Sequence, residues 1–168
     1  LRKDALLAAA ELVIEVNRIA LAHAPHARGT VGWIDNYPNS RNVIPGRVKL
    51  SVDLRAADDT VLSAMDAALK EAVQRLATAG KVEATVEQVV YFPPQPFTPQ
   101  LVSAVRDAAE AQGLTWMNVI SGAGHDAVYL ARVCPTAMIF VPCLDGISHN
   151  EIEDAEPAHL EAGCNVLL

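Results

Sequence analysis

The sequence is poor in several features that would narrow its class at once. Cysteine occurs only at Cys134, Cys143 and Cys164, an odd number with no CxxC pair. That excludes a disulfide framework and reads as reduced, buried and inert thiols in a cytoplasmic protein. No apolar stretch approaches the roughly 18 residues that a membrane-spanning helix needs, and there is no signal-peptide h-region. Basic residues are outnumbered, 13 Lys and Arg against 20 Asp and Glu for a formal net charge of −7, and they form no cluster. Phosphate binding needs clustered cations, so nucleic acid and an anionic membrane surface are excluded as partners. Internal repeats and low-complexity tracts are absent.

What is present is a chain of 168 residues, 51% hydrophobic, enough to bury the core of one ordinary domain or two small ones. It begins at Leu1 inside a helical pattern and ends in LEAGCNVLL inside another, which reads as an internal or C-terminal piece of a longer polypeptide. Residues 4–22 carry apolar positions at helical spacing, Leu7, Ala10, Val13, Ile14, Ala20 and Leu21 among them, and HAPHARG breaks the helix. TVGWIDNYP and GRVKLSVDLRA alternate as half-buried strands do, with the loop NSRNVIPG between them. In the second strand Val48, Leu50, Val52 and Leu54 share one face, while Lys49, Ser51, Asp53 and Arg55 share the other. A second helix is expected over 58–79, capped by Asp58 or Asp59 and closed by Gly80, and KVEATVEQVVYF is expected as a third strand.

The order helix, strand, strand, helix, strand matches most of a ferredoxin-like α+β sandwich, which leaves a sheet edge and one face free to pair with a second copy. FPPQPFTP, residues 92–99, holds four prolines in eight residues and is the best domain boundary, dividing the chain into 1–92 and 93–168. Beyond it, 100–112 reads as a helix, 126–133 as a short one and 157–168 as a closing one. TAMIFVP, 136–142, has the continuous apolar character of a strand buried on both faces. This second part has the look of the last units of an α/β domain.

Two loops flank that apolar run. In GISHNEIE, His149 comes shortly after a buried strand, where open α/β sheets place ligands, and a neutral imidazole is the commonest transition-metal ligand. Glu151 or Glu153 could orient its ring; the alternative is a loop histidine bonded to backbone. In GAGHDA, glycines precede His125 and Asp126 at the start of a short helix, where free N–H groups could meet an anion or a developing oxyanion. The alternative there is a plain helix cap at Asp126. A serine nucleophile at Ser121 or Ser148 lacks a GxSxG elbow, and Cys143 lacks a marked base partner. Asn42 in the hairpin loop and Arg55 at the end of the outward-facing row could grip a carboxylate, the arginine through two N–H groups. Read singly, each is a turn residue or a solvated charge.

Together, GTVGWIDNYPNSRNVIPGRVKLSVDLR, SGAGHDA, PTAMIFVP and DGISHNEIE, in this order and spacing, resemble one family. It is the metal-dependent amidohydrolases that include N-carbamoyl-L-amino-acid hydrolase, β-ureidopropionase and allantoate amidohydrolase, relatives of the zinc aminoacylases and carboxypeptidases. LRKDAL resembles the tail of that family's HAG-x-x-PM-x-x-R-x-D segment.

The resemblance implies an α/β architecture: a ferredoxin-like lid, or dimerisation, domain in 1–92, then the C-terminal part of a metallohydrolase catalytic domain in 93–168. It implies cleavage of the C–N bond of an N-carbamoyl amino acid or related ureido acid by two divalent ions, zinc, manganese, cobalt or nickel, in a homodimer formed through the lid. By the same resemblance His149 falls on the final metal-ligand histidine, and Asn42 and Arg55 fall on residues that hold the substrate carboxylate, reaching into the neighbouring subunit's site. Ser121, Gly122 and Gly124 fall on the substrate-side loop, with His125 and Asp126 as catalytic candidates and His125 as oxyanion donor. The remaining ligands and a general-base Glu are implied to lie outside this chain, so that the piece alone is not a catalyst. Two positions depart from the pattern: Cys143 stands where members have Ser, and His159 where an acidic residue is expected. A peptidase or aminoacylase of the same superfamily, and a non-catalytic dimerisation module, are the competing readings.

Overall fold

The computed structural model describes residues 2–168. It divides into two compact units, Leu1–Pro94 and Gln95–Leu168. Among the described residues no helix is long and apolar enough to cross a membrane.

The first unit is built from helix α1 (Ala5–Ala22), strands β1 (Arg28–Tyr37) and β2 (Arg47–Arg55), and helix α2 (Asp59–Gly80). Each helix starts on an aspartate in extended conformation that accepts backbone N–H groups left over by the first turn. Asp4 accepts from Leu7 at 3.0 Å, and Asp58 accepts from Thr60 at 2.8 Å and Val61 at 3.2 Å. Hydrogen bonds from Arg2 and the Leu7 N–H hold the Asp4 carboxyl below its ordinary value. Those from the Val61 and Thr60 amides do the same at Asp58. The close of α2 differs from expectation. Gly80 is still helical, and Lys81 takes the left-handed conformation (φ 55°, ψ 37°). The N–H of Lys81 bonds Thr78 O and that of Val82 bonds Ala77 O. This Schellman-type closure satisfies the last carbonyls although a non-glycine residue there costs about 1–2 kcal/mol.

The two strands pair antiparallel, from Arg28 opposite Arg55 to Tyr37 opposite Arg47. The register shifts between Thr30 and Trp33, so Val31 and Gly32 together face one residue of β2. Such a bulge exchanges the two faces of a strand. Before it Gly29 and Val31 are the partly buried positions and after it Asn36 is, so Trp33 and Tyr37 turn to the open face. In β2 the inward row is Val48, Leu50, Val52 and Leu54, as its alternation predicts.

The helices cover that inward face. Val16 of α1 packs with Leu69 and Val73 of α2, joined by Val31, Val52 and Leu54, and Met65 packs with Ala20 and Ala27. Among the described residues Met65 and Val16 are the largest side chains shut off from solvent, each worth about 1.5–3 kcal/mol of transfer free energy. Gly29 sits where α1 crosses β1: a Cβ there would lie 2.8 Å from Val16 O and 3.1 Å from Ala20 Cβ.

Of residues 81–92, expected as a third strand, Lys81 ends α2 and 82–92 form no strand with any of the described residues. Their alternation is real, but a strand exists only where another edge takes up its N–H and C=O groups. Val89 and Val90 are accordingly exposed. The segment is tied to the start of α2 by a hydrogen bond from the Tyr91 hydroxyl to Asp59, which raises the Tyr91 pKa.

The second unit contains α3 (Pro99–Ala111), α4 (Asp126–Leu130) and α5 (Pro157–Leu167), with a short 3-10 turn at Leu144–Gly146. Proline at the first helical position of α3 and α5 is preorganised for helix and sacrifices no needed donor. Residues 136–142 are not a strand buried on both faces. Thr136 is buried, Ala137, Met138 and Ile139 are half-buried, and Phe140 is exposed, with no strand partner among the described residues. The run is anchored instead at its start. Thr98 N–H donates to Thr136 O at 2.9 Å, Thr136 N–H donates to Thr98 Oγ1 at 3.0 Å, and the Thr136 hydroxyl donates to Cys134 O at 3.0 Å. Gln112 ties the end of α3 to Asn165 O of α5 at 2.9 Å. The cysteines also depart from expectation: all three are free thiols, but Cys134 and Cys164 are exposed and Cys143 is half-buried.

Candidate functional site

The candidate residues fall in three places, two in the second unit and one in the first. The loop Ser121–Asp126 runs into α4. His125 occupies the N-cap position with extended backbone (φ −130°, ψ 148°) and Asp126 is the first helical residue, so the cap expected at Asp126 is displaced by one residue. His125 makes no side-chain cap bond; its imidazole is turned instead to Ser121, whose Oγ is 2.6 Å from Nε2. The same hydroxyl accepts the Ala123 N–H at 3.2 Å. The ring also meets Phe140 edge-on, with centroids 5.5 Å apart and planes at 66°. A Cβ on Gly122 or Gly124 would meet nothing within 4 Å. No internal contact therefore demands glycine there, and what the missing side chains leave is open access to the backbone.

The second place is the loop 143–156. His149 lies in the left-handed region (φ 57°), a conformation that a non-glycine residue keeps only when its surroundings hold it there. Its backbone N–H donates to Glu153 Oε2 at 2.6 Å, a short charge-assisted bond. Leu144 N–H closes the base of the loop on Asp154 O at 2.7 Å. The sequence suggested Glu151 or Glu153 as the group orienting the imidazole. Glu153 acts on the backbone of His149 instead, and Ser148 Oγ, 3.3 Å from Nδ1, is the group that faces the ring. A proton on Nδ1 directed at that hydroxyl leaves the Nε2 lone pair for a cation. His149 fits as a single donor of this kind. Among the described residues no group of three or more His, Cys, Asp or Glu side chains could hold a metal ion.

The third place is the hairpin of the first unit. Asn42 accepts a hydrogen bond from the Ser40 hydroxyl at 3.0 Å. It lines an open groove of about 530 Å³ with Arg2, Leu7, Asn36, Arg41 and Ile44, at the N-terminal end of α1. Arg55 stands at the other end of β2, paired with Asp53 through Nε at 2.9 Å and Nη2 at 2.8 Å. That ion pair holds the Asp53 carboxyl below its ordinary value and raises the arginine pKa further. Within one chain the structure does not bring Asn42 and Arg55 together. β2 runs from Arg47 beside the Asn42 loop to Arg55, and its length, at about 3.3 Å per residue, is roughly 26 Å.

The sequence assigned no role to Arg41, set Asp53 on the face of Arg55 without pairing the two, and offered Ser148 only as a nucleophile and not as a partner of His149. The pairing of Asp53 was accessible, since residues two apart on a strand share a face. Arg41 and Ser148 carried no such signal, being neighbours of candidates in irregular loops.

The profile of the peptidase family M20/M25/M40 matches residues 4–168. N-carbamoyl-L-amino-acid amidohydrolase of Rhizobium meliloti is 42% identical over 168 residues, covering 100% of this chain and 40% of that protein. Allantoate amidohydrolase of Bacillus subtilis is 31% identical over 166 residues, covering 99% of this chain and 40% of that protein. Among solved structures, the hydantoinase/carbamoylase family amidase of Burkholderia multivorans superposes with a TM-score of 0.93 at 57% identity, over 99% of this chain and 40% of that one. The chain thus spans about two fifths of the length of the relatives it matches.

Proposed function

The chain belongs to the peptidase family M20/M25/M40, and from that premise we propose that it is part of a hydrolase cleaving the C–N bond of an N-carbamoyl amino acid or a related ureido acid. The observation that carries this reading is likeness along the whole chain to relatives named N-carbamoyl-L-amino-acid amidohydrolase and allantoate amidohydrolase, in a chain that carries the GAGHDA and GISHNE loops.

In this reading residues 1–92 form a ferredoxin-like lid through which two copies associate, and 93–168 form the C-terminal part of the catalytic domain. A four-stranded sheet of that kind needs one strand that this chain does not supply, between β2 and the unpaired 82–91 segment. His149 offers its imidazole as one ligand in a site for two divalent ions, with zinc, manganese, cobalt and nickel all compatible with imidazole and carboxylate donors. The other ligands and the general base belong to polypeptide outside this chain. Such ions, when bound, would lower the pKa of a bound water and polarise the scissile carbonyl.

The chain's own side chains supply binding and charge stabilisation. Arg55 takes the substrate carboxylate through two N–H groups, and Asn42 adds its amide N–H. Because one hairpin holds them at opposite ends, they serve one carboxylate only if each comes from a different copy. Gly122 and Gly124 leave the backbone of the 121–126 loop open to the substrate, Ser121 and Asp126 flank that opening, and His125 donates a hydrogen bond to the oxyanion of the tetrahedral intermediate.

The family's peptidase members favour a second reading, hydrolysis of a peptide or N-acyl amino acid, which needs the same carboxylate grip. The test is the full-length protein, loaded in turn with each of the four metals and assayed against N-carbamoyl amino acids, ureidopropionate, allantoate, dipeptides and N-acetyl amino acids. Turnover of carbamoyl or ureido substrates well above the others is expected; turnover of dipeptides or N-acetyl amino acids alone would sink the proposal.

A further inference from the structure

One hydroxyl closes the 121–126 loop on itself. Ser121 Oγ accepts the Ala123 N–H at 3.2 Å and lies 2.6 Å from His125 Nε2. A serine hydroxyl has one proton and two lone pairs. With the amide engaging a lone pair, the proton is free for the Nε2 lone pair, and bonds chained in one direction strengthen each other. The Phe140 ring edge-on against the imidazole at 5.5 Å restricts its rotation. Nδ1 has no hydrogen-bond partner among the described residues.

We propose that Ser121 is a positioning residue for His125: its hydroxyl donates to Nε2, holds the neutral imidazole in the tautomer with its proton on Nδ1, and so makes Nδ1–H the donor that the ring offers. A neutral imidazole without such a partner populates both tautomers, and only one presents a donor at the required edge. The proposal rests on the reading of His125 as an oxyanion donor and gives Ser121 a role through His125 rather than on the substrate.

The test uses the full-length, metal-loaded protein as Ser121→Ala, Ser121→Thr, His125→Ala and the Ser121→Ala/His125→Ala double variant. The histidine tautomers are read by ¹⁵N NMR, the His125 signals being those absent from His125→Ala. Steady-state kinetics use the N-carbamoyl amino acid turned over fastest. We expect a single Nδ1–H tautomer in the parent and a mixture in Ser121→Ala, with kcat down roughly tenfold, a part of the 10²–10³ that a whole oxyanion donor supplies. KM should stay within about twofold, because the ground state binds without that bond. Ser121→Thr should restore both tautomer and kcat, and Ser121→Ala should add nothing in the His125→Ala background. An unchanged tautomer in Ser121→Ala overturns the proposal, and so does a raised KM at unchanged kcat, which would make Ser121 a substrate contact. If His125→Ala keeps the parental kcat, the oxyanion reading of His125 fails on its own, and the tautomer comparison still decides the link between the two residues.

Discussion

The carboxylate of Asp53 holds the guanidinium of Arg55 with both oxygens, one on Nε and one on Nη2. Any anion bound by Arg55 is therefore received by a guanidinium whose plane is already set by its neighbour on the strand. Arg55→Ala should raise KM for carboxylate-bearing substrates by roughly 10- to 150-fold, the equivalent of about 1.5–3 kcal/mol for a charge-assisted bond. An uncharged amide analogue should change little, and an equal loss for that analogue would exclude the carboxylate role. The Asp53 carboxyl sits below its unfolded value of 3.8 because Arg55 donates to it. Its contribution to stability is thus present above that value and lost as pH falls through the lower folded value. Asp53→Asn should flatten the acid limb of the thermal-denaturation profile below about pH 4.

Asn42 and Arg55, separated by the length of β2, predict complementation between subunits. Asn42→Ala and Arg55→Ala homodimers should each be impaired, whereas refolding the two together should restore activity. Half of randomly assorted dimers are mixed, and each mixed dimer has one intact site of two, so about a quarter of the parental rate is expected. No recovery in mixed dimers, with dimerisation verified by sedimentation, would mean that both residues serve the same copy or none.

His149 is expected to carry a metal in the full-length protein. His149→Ala should lose about one ion per subunit, measured by elemental analysis, and lower the rate by about 100-fold or more, since even residues that only orient ligands matter by 10- to 100-fold. Retention of metal and rate together would remove the residue from the site.

Met65 is fully buried between the two helices and the end of β2. Met65→Ala should cost about 2–5 kcal/mol by chemical denaturation, the range for removing a large side chain that leaves a cavity. A cost under about 1 kcal/mol would show that this core collapses around the gap.

The local elements were legible in the sequence because their causes are local. Asp4 and Asp58 cap helices by bonding amides two or three residues away, and the inward row of β2 follows from a period of two. Where a second partner was needed, the sequence misled. Residues 81–92 and 136–142 have strand composition but no paired strand among the described residues, and the bulge at Val31–Gly32 turns Trp33 and Tyr37 outward. At the candidate site the residue types pointed to His125 and His149, but their immediate partners, Ser121 and Ser148, were not legible as such. A hydroxyl's reach depends on how a loop folds back, which short-range pattern does not encode.

The order of residues alone therefore determined the aspartate-capped starts of α1 and α2, the inward face of β2 and the family to which the chain belongs, since each is written in neighbours, periods or motifs. Only the tertiary structure decided that Ser121 meets His125, that Glu153 braces the backbone of His149 rather than its ring, and that Asn42 and Arg55 stand a strand's length apart. Those relations are set by how loops close and where a strand ends in space, and separation along a sequence does not fix distance once a chain turns back on itself.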